Sequence, residues 1–247
     1  MTDQIQLLLY ATLLIAVVGC SNLNNKEKPT GNDTTQLAKR NHETISKSDF
    51  KKKPSDFIPE GFILYSKATG DLNKDGLDDY ILMIKGTKKD RVINHEYRGE
   101  LDRNRRGIIV LFKDKGSYKL ALRNDTCFSS DNEEGGVYYA PELEISTDHG
   151  KLFVDYNHGR YGSWQYTFQY RNSEFQLIGY EASENYGPIV NRETSINFLT
   201  FKKQEKVNTN GDAESGEEVF EETWTNLEVQ NPILLSEIEN FDELSVD

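Results

Sequence analysis

The chain has 247 residues, of which 36% are apolar, so it is long enough for one sizeable domain or two small ones. Thirteen tyrosines and twelve phenylalanines stand against two methionines, a composition that favours strands. Of the formal net charge of −12, the segment 205–247 carries thirteen acidic residues and one lysine. This balance is opposite to the basic footprint that nucleic-acid binding requires, so we expect no nucleic-acid partner and interpret the acidic segment as a solvated surface.

Residues 1–19 are predicted to be a lipoprotein signal peptide. Leu7 to Val18 form an uncharged apolar run, too short for a membrane span of ~20 residues but of the length of a signal-peptide core. The run ends in "VVGC", which resembles the lipobox of bacterial lipoproteins. The resemblance implies cleavage before Cys20, a lipid on that cysteine and attachment to the cell envelope, and Ser21 is typical of lipoproteins bound for the outer membrane. The alternative is a buried apolar helix with an incidental cysteine.

Residues 20–57 are predicted to be a disordered tether. They are rich in Asn, Lys, Thr and Ser and poor in apolar residues, so they cannot bury enough surface to fold alone. If Cys20 carries the lipid, Cys127 has no partner in the chain, and we expect no intramolecular disulfide. Cys127 is interpreted as a small, half-buried residue.

Residues 58–204 are predicted to be an all-β domain of antiparallel sheets built from successive hairpins, with about nine or ten strands. Short apolar runs alternate with turn sequences such as "DKGS", "TDHG" and "RNSE", which favour hairpins. In "WQYTFQY", aromatic residues alternate with polar ones, so they are expected on one face of a strand. A further strand is predicted over "SINFLTFKK". The acidic segment 205–247 is predicted to hold one strand, in "EVFEETWTNL", and a tail docked on the domain.

A candidate calcium loop lies in "GDLNKDGLDDY", residues 70–80. Oxygen donors recur at alternate positions around Gly76, and Ca²⁺ takes six to eight oxygen ligands in flexible geometry. Zinc would require His or Cys, which this stretch lacks. The proposed ligands are the side chains or carbonyl groups of Asp71, Asn73, Asp75, Leu77 and Asp79.

This pattern resembles the calcium loop of FG-GAP (integrin-α-like, VCBS-like) repeats, and the apolar runs over most of 60–204 resemble a group of uncharacterised bacterial envelope lipoproteins. The first resemblance implies a Ca²⁺ ion that bridges a strand–loop–strand connection. We assign the ion a structural role, because all ligands come from one loop without a nearby base to activate water. A single clear copy excludes a full propeller. The alternative is a polar turn that binds nothing.

The segment "DYNHGRYGSW" holds a candidate ligand patch formed by Tyr156, His158, Tyr161 and Trp164. One interpretation is an exposed surface that stacks against a sugar or a peptide. The other is a glycine-rich hairpin loop whose aromatic residues cap the core, which is the more common role of Tyr and Trp in strands. The sequence contains no HExxH, GxSxG or phosphate-binding loop motif, so it points to no catalytic constellation.

The sequence therefore favours a lipid-anchored, non-enzymatic binding or structural module with one structural Ca²⁺ ion and an unidentified protein or glycan partner. The alternatives are an envelope hydrolase acting on cell-wall or sugar substrates, and an immunity or inhibitor lipoprotein. A glycosidase needs two facing carboxylates, and sequence alone pairs neither Glu142 nor Glu144 with a second acid. A pocket with two convergent carboxylates would favour the hydrolase.

Overall fold

Antiparallel strands dominate the computed structural model, which describes residues 50–132, 140–229 and 231–246. Apart from strands, these residues form 3₁₀ turns of three or four residues. The predicted all-β class is therefore confirmed, although the described residues form fourteen strands instead of nine or ten. They are β1 (Phe50–Lys51), β2 (Phe62–Gly70), β3 (Asp79–Gly86), β4 (Val92–His95), β5 (Gly99–Asp102), β6 (Arg106–Asp114), β7 (Ser117–Phe128), β8 (Glu142–Asp148), β9 (Lys151–Asn157), β10 (Gly162–Arg171), β11 (Glu174–Tyr186), β12 (Ile189–Asn197), β13 (Lys202–Asn208) and β14 (Phe220–Asn226).

The strands form a five-stranded sheet, a seven-stranded sheet and one small hairpin. The five-stranded sheet has the order β1-β7-β6-β3-β2, and the seven-stranded sheet has the order β14-β13-β12-β11-β10-β9-β8. Every strand of the larger sheet is antiparallel to its neighbour in sequence, as the predicted turns require. Two sheets of five and seven strands do not make the ring of four-stranded blades that defines a propeller.

One large apolar cluster joins the two sheets. The alternation predicted for "WQYTFQY" accounts for the contribution of β10, because Tyr166 and Phe168 are buried while Gln165 and Gln169 remain half-exposed. The same alternation in the neighbouring strands places apolar side chains on the same face. The cluster includes Ile81, Ile108, Val110, Leu122, Phe128, Leu152, Val154, Tyr166, Phe168 and Phe175.

A second apolar cluster covers the other face of the five-stranded sheet. There, Phe57 packs with Leu82, Ile84 and Ile109, which explains why the central strand β6 is apolar along most of its length. The backbone of β1 pairs with β7. Residues 50–57, which the sequence assigned to the tether, are thus part of the folded body.

The C-terminal tail completes the main cluster. Leu235, Ile238 and Phe241 are buried in it, and the ring of Phe241 stacks on that of Phe128 with centroids 4.9 Å apart. The side-chain amide of Asn124 donates to the carbonyl groups of Leu235 and Ile238. The sequence boundary at 204/205 crosses β13, so the acidic segment continues the sheet.

The predicted strand over "SINFLTFKK" is wrong, because residues 198–201 form a turn between β12 and β13. The side-chain oxygen of Asn197 accepts hydrogen bonds from the backbone amides of Leu199 and Thr200, both at 3.0 Å. Phe201 has a φ of 53°, which an apolar pattern does not predict. In the part of the chain that the structure describes, no helix is long and apolar enough to cross a membrane.

Candidate functional site

The face of the seven-stranded sheet that points away from the core carries a continuous row of mostly polar side chains. Each strand contributes one residue that lies directly opposite the next. Directly opposed residues project from the same face of an antiparallel sheet. This polar row consists of Glu144, Asp155, Gln165, Glu181, Ser195, Gln204 and Trp224.

Hydrogen bonds between adjacent strands hold the centre of the polar row. The side-chain Nε2 of Gln165 donates to Oδ1 of Asp155 at 2.5 Å, and Oγ of Ser195 donates to Oε1 of Glu181 at 2.7 Å. A carboxylate has about four acceptor positions. Each of these two carboxylates therefore keeps acceptor capacity for a ligand while its orientation is fixed by a neutral neighbour.

Five members of the polar row, from Asp155 to Gln204, line a cleft of about 470 Å³. This volume lies within the range of small-molecule sites. The cleft is also lined by the next row on the same face, formed by Ser163, Ser183, Glu193 and Lys206. In that row, Nζ of Lys206 lies 3.1 Å from Oε2 of Glu193. The cleft thus combines hydroxyl and amide groups with three carboxylates and one ammonium group.

Trp224 ends the polar row on the edge strand β14. It lies opposite Gln204, and 60% of its surface is exposed. Its indole N–H donates to the carboxylate of Glu222, and this bond, together with one from Gln204, lowers the pKa of Glu222. A tryptophan that is oriented by a hydrogen bond and still exposed offers a flat apolar surface beside the cleft.

The candidate patch of Tyr156, His158, Tyr161 and Trp164 does not form one exposed surface. Tyr156 is only 3% exposed, and its ring stacks on Trp164 at 5.2 Å with an angle of 13° between the planes. Burial raises the pKa of Tyr156. His158 and Tyr161 pair in the loop between β9 and β10, with ring centroids 5.1 Å apart. Tyr156 belongs to the main apolar cluster and Trp164 packs against it, and both residues also line the cleft.

The candidate calcium loop is held by hydrogen bonds from its own backbone. The carboxylate of Asp71 accepts from the amides of Asp75 and Gly76, at 3.0 and 2.9 Å. The carboxylate of Asp75 accepts from the amide of Leu77 at 2.8 Å, and Oδ1 of Asn73 accepts from the amide of Asp75 at 3.0 Å. Such side-chain contacts with nearby amides stabilise a tight turn.

Asp79 has a different environment from the other predicted ligands. It is fully buried. Its Oδ2 accepts from the amide of Leu72, and its Oδ1 accepts from the amide of Lys113 in β6, both at 3.0 Å. Burial raises the pKa of Asp79, while these backbone hydrogen bonds oppose the rise. Asp79 thus attaches the loop to a neighbouring strand.

The predicted ligands fit a cation in part. Asp71, Asn73, Asp75 and the carbonyl of Leu77 lie on one turn, and Gly76 has the positive φ of 86° that this turn needs. Among the described residues, however, no group of three or more His, Cys, Asp or Glu side chains is arranged to hold a metal ion. Calcium binding stays a prediction.

Cys127 is not among the residues that line the cleft. Cys20, the predicted lipid attachment site, lies outside the described residues. Cys127 is a free thiol that is fully buried, more so than predicted. Burial raises the pKa of its thiol, which disfavours the reactive thiolate.

Two residues of the predicted ligand patch, Tyr156 and Trp164, line the cleft, but its polar row was not predicted as a site. Gln165 was placed on the polar face, but its neighbours Asp155, Glu181 and Ser195 are distant in sequence. Their meeting depends on the pairing of four strands. An alternating pattern gives the face of each residue, whereas the register between strands determines which residues are opposite.

Comparisons with protein-family models, curated proteins and solved structures found no match for this chain. The function must therefore be argued from the geometry and chemistry of the site itself.

Proposed function

We propose that this protein is an envelope lipoprotein, anchored in the outer membrane through a lipid on Cys20, whose body is a non-catalytic glycan-binding module. The observation that carries the proposal is the row of polar side chains along the cleft, from Asp155 to Gln204. It crosses five adjacent strands, and the four spacings of ~4.8 Å between them add up to about 19 Å. That length suits several sugar rings in a chain.

The chemistry of the cleft matches a ligand with many hydroxyl groups. Carboxylates accept hydrogen bonds from hydroxyls, whereas serine and glutamine side chains both donate and accept. The exposed indole of Trp224 adds an apolar surface for the C–H face of a sugar ring. A few polar groups that fix orientation, together with an apolar contact, are what small-molecule sites generally contain.

A peptide ligand fits this surface less well. Peptides that bind to sheets commonly pair their backbone with an unpaired strand edge. The cleft lies over β9 to β13, whose backbones are already paired with a strand on each side. A peptide lying across them would have to satisfy its own amide and carbonyl groups through side chains alone, which a sugar does not require.

A hydrolase is the second candidate, because the cleft contains the carboxylate pair that the sequence did not identify. Asp155 and Glu181 lie two strands apart, about 9.6 Å, near the upper limit of the separation in inverting glycosidases. Gln165 lies between them in the polar row and donates to Asp155. Its amide takes the place that an attacking water would need, so we favour binding.

The proposal is tested with the full-length chain in detergent, incubated with insoluble chitin, chitosan, cellulose and peptidoglycan. We expect at least one polysaccharide to retain the protein. Gln165→Ala and Trp224→Ala should weaken retention, since they remove a central hydrogen-bonding group and the apolar platform. Tyr97→Ala, which removes an aromatic side chain that is 84% exposed on the β4–β5 hairpin, is the matched control.

Retention that is unchanged in Gln165→Ala and Trp224→Ala would reject the cleft as the binding site. Release of new reducing ends from the retained polysaccharide, abolished by Glu181→Gln, would instead support the hydrolase.

A further inference from the structure

The charged groups of the cleft do not balance. Its lining contains the carboxylates of Asp155, Glu181 and Glu193 and the ammonium group of Lys206. Lys206 and Glu193 pair with each other at 3.1 Å. Asp155 receives hydrogen bonds from Gln165 and Ser146, and Glu181 receives one from Ser195; all three donors are neutral. Two negative charges in the centre of the cleft are therefore left without a cation of the protein's own among the lining residues.

The same sign continues along the polar row beyond the cleft. Glu144 lies opposite Asp155 on the edge strand β8. A ligand that covered Asp155 and Glu181 with neutral groups would remove them from water without compensating their charges, which is unfavourable. A ligand that brings positive charge would instead be attracted along the whole row.

We propose that the glycan is cationic, an amino-sugar polymer whose hexosamine units carry free ammonium groups. This inference rests on the proposed function, because it assigns a ligand class to the same cleft. Ammonium groups of the sugar pair with Asp155 and Glu181. In an extended β-linked polymer, alternate rings present their amino groups to the same side, so carboxylates two strands apart are met by rings two positions apart.

A basic peptide carries the same positive charge as an amino sugar but does not fit the other features of the cleft. It has no sugar ring whose C–H face could lie on the indole of Trp224. Its backbone finds no unpaired strand in the floor of the cleft, because β9 to β13 are paired on both sides. The amino sugar satisfies the charge, the hydrogen bonds of the serine and glutamine side chains and the indole surface together.

The test compares a glucosamine hexasaccharide with its fully N-acetylated counterpart of equal length. Affinity for the full-length chain in detergent is measured by calorimetry at low and at high salt. Partly exposed ion pairs each give a few-fold gain in affinity, so two pairs should favour the cationic sugar by about tenfold at low salt. High salt should reduce this preference. Asp155→Asn with Glu181→Gln should abolish it, whereas Glu221→Gln, an exposed carboxylate on the edge strand β14, should leave it intact.

Each remaining outcome separates the two proposals. Equal affinity for both sugars, weakened by Gln165→Ala, would overturn the cationic ligand and leave the glycan-binding module standing. No affinity for either sugar or for the insoluble polysaccharides would overturn both. A preference that persists in the double variant would show attraction to the acidic protein as a whole and overturn the assignment to the cleft. Equally tight binding of a lysine hexapeptide would overturn an amino sugar as the specific ligand.

Discussion

At the scale of single residues, the buried carboxylate of Asp79 shows how one side chain links a loop to a sheet. Its two oxygens accept from Leu72 in the loop and from Lys113 in β6. Both amides would lose an acceptor without it, and a buried unsatisfied polar group costs about 1–3 kcal/mol. The sequence motif predicts Asp79 as a calcium ligand, but in the structure both of its carboxylate oxygens accept hydrogen bonds from backbone amides. Its structural role therefore uses the same oxygens that a metal ion would need.

The pKa of Asp79 predicts a pH dependence of stability. Its folded-state pKa is raised above the ordinary value of 3.8 by burial, so its contribution to stability is complete below pH 3.8 and is lost as the pH rises through the folded pKa. Asp79→Asn cannot titrate. In EDTA, the free energy of unfolding of the wild type minus that of Asp79→Asn should therefore increase as the pH falls from 7 towards 4.

The measurement is urea unfolding at several pH values. Asp78→Asn, a substitution at the exposed neighbour, is measured in parallel as the control. A difference for Asp79→Asn that decreases towards low pH would mean that the hydrogen bonds outweigh burial and that the folded protein prefers the charged carboxylate.

At the scale of secondary-structure elements, the C-terminal tail acts as part of the core, although in the described part of the chain its backbone pairs with the sheet through one isolated bridge, between Gln176 and Leu234. Phe241 stacks on Phe128 and packs edge-on against Tyr166, with centroids 5.1 Å apart. The guanidinium group of Arg105 donates to the side-chain oxygen of Asn240 at 2.8 Å. These contacts place the tail over the inner face of both sheets.

Phe241→Ala is expected to lower the free energy of unfolding by ~3–5 kcal/mol, the range for removing a buried aromatic side chain. Phe220→Ala is the matched control, because Phe220 is 38% exposed on the edge strand β14 and should cost less than about 1 kcal/mol. Urea unfolding of the full-length chain measures both. Equal losses for the two variants would show that the tail does not belong to the cooperative core.

Sequence patterns predicted individual strands better than they predicted which residues of neighbouring strands lie opposite each other. Alternation in "WQYTFQY" correctly placed Tyr166 and Phe168 on one face and Gln165 on the other, and the structure shows that the aromatic face is the core face. Alternation failed at "SINFLTFKK", where the side chain of Asn197 caps a turn inside an apolar run. It also missed β1 and Phe57, because a short segment that packs on a preformed sheet needs no pattern of its own. The cleft was inaccessible to sequence reasoning, since Asp155, Gln165 and Glu181 meet only through strand register.

At the scale of the whole molecule, the candidate calcium loop lies where the two sheets meet. Oγ1 of Thr147 in β8 donates to the carbonyl of Thr69 in β2 at 2.7 Å. The loop residue Lys74 packs so closely on Gly150 that a Cβ atom there would lie 2.7 Å from Cε of Lys74. The conformation of this loop thus affects the packing between the two sheets. A Ca²⁺ ion that fixed the loop would therefore stabilise the whole fold.

We therefore expect calcium to raise the melting temperature of the full-length chain in detergent. An ion that binds only the folded state adds ~2.7 kcal/mol at a hundredfold excess over Kd, and each kcal/mol raises Tm by ~2–4 °C for a domain of this size. The melting temperatures in millimolar Ca²⁺ and in EDTA should differ by several degrees.

Asp75→Ala should abolish this difference, because it removes a proposed ligand, whereas Asp78→Ala should preserve it. Glycan binding by Asp75→Ala at low temperature should remain, since the ion has only a structural role. Superimposable wild-type curves in Ca²⁺ and EDTA would leave "GDLNKDGLDDY" a turn that its own hydrogen bonds stabilise.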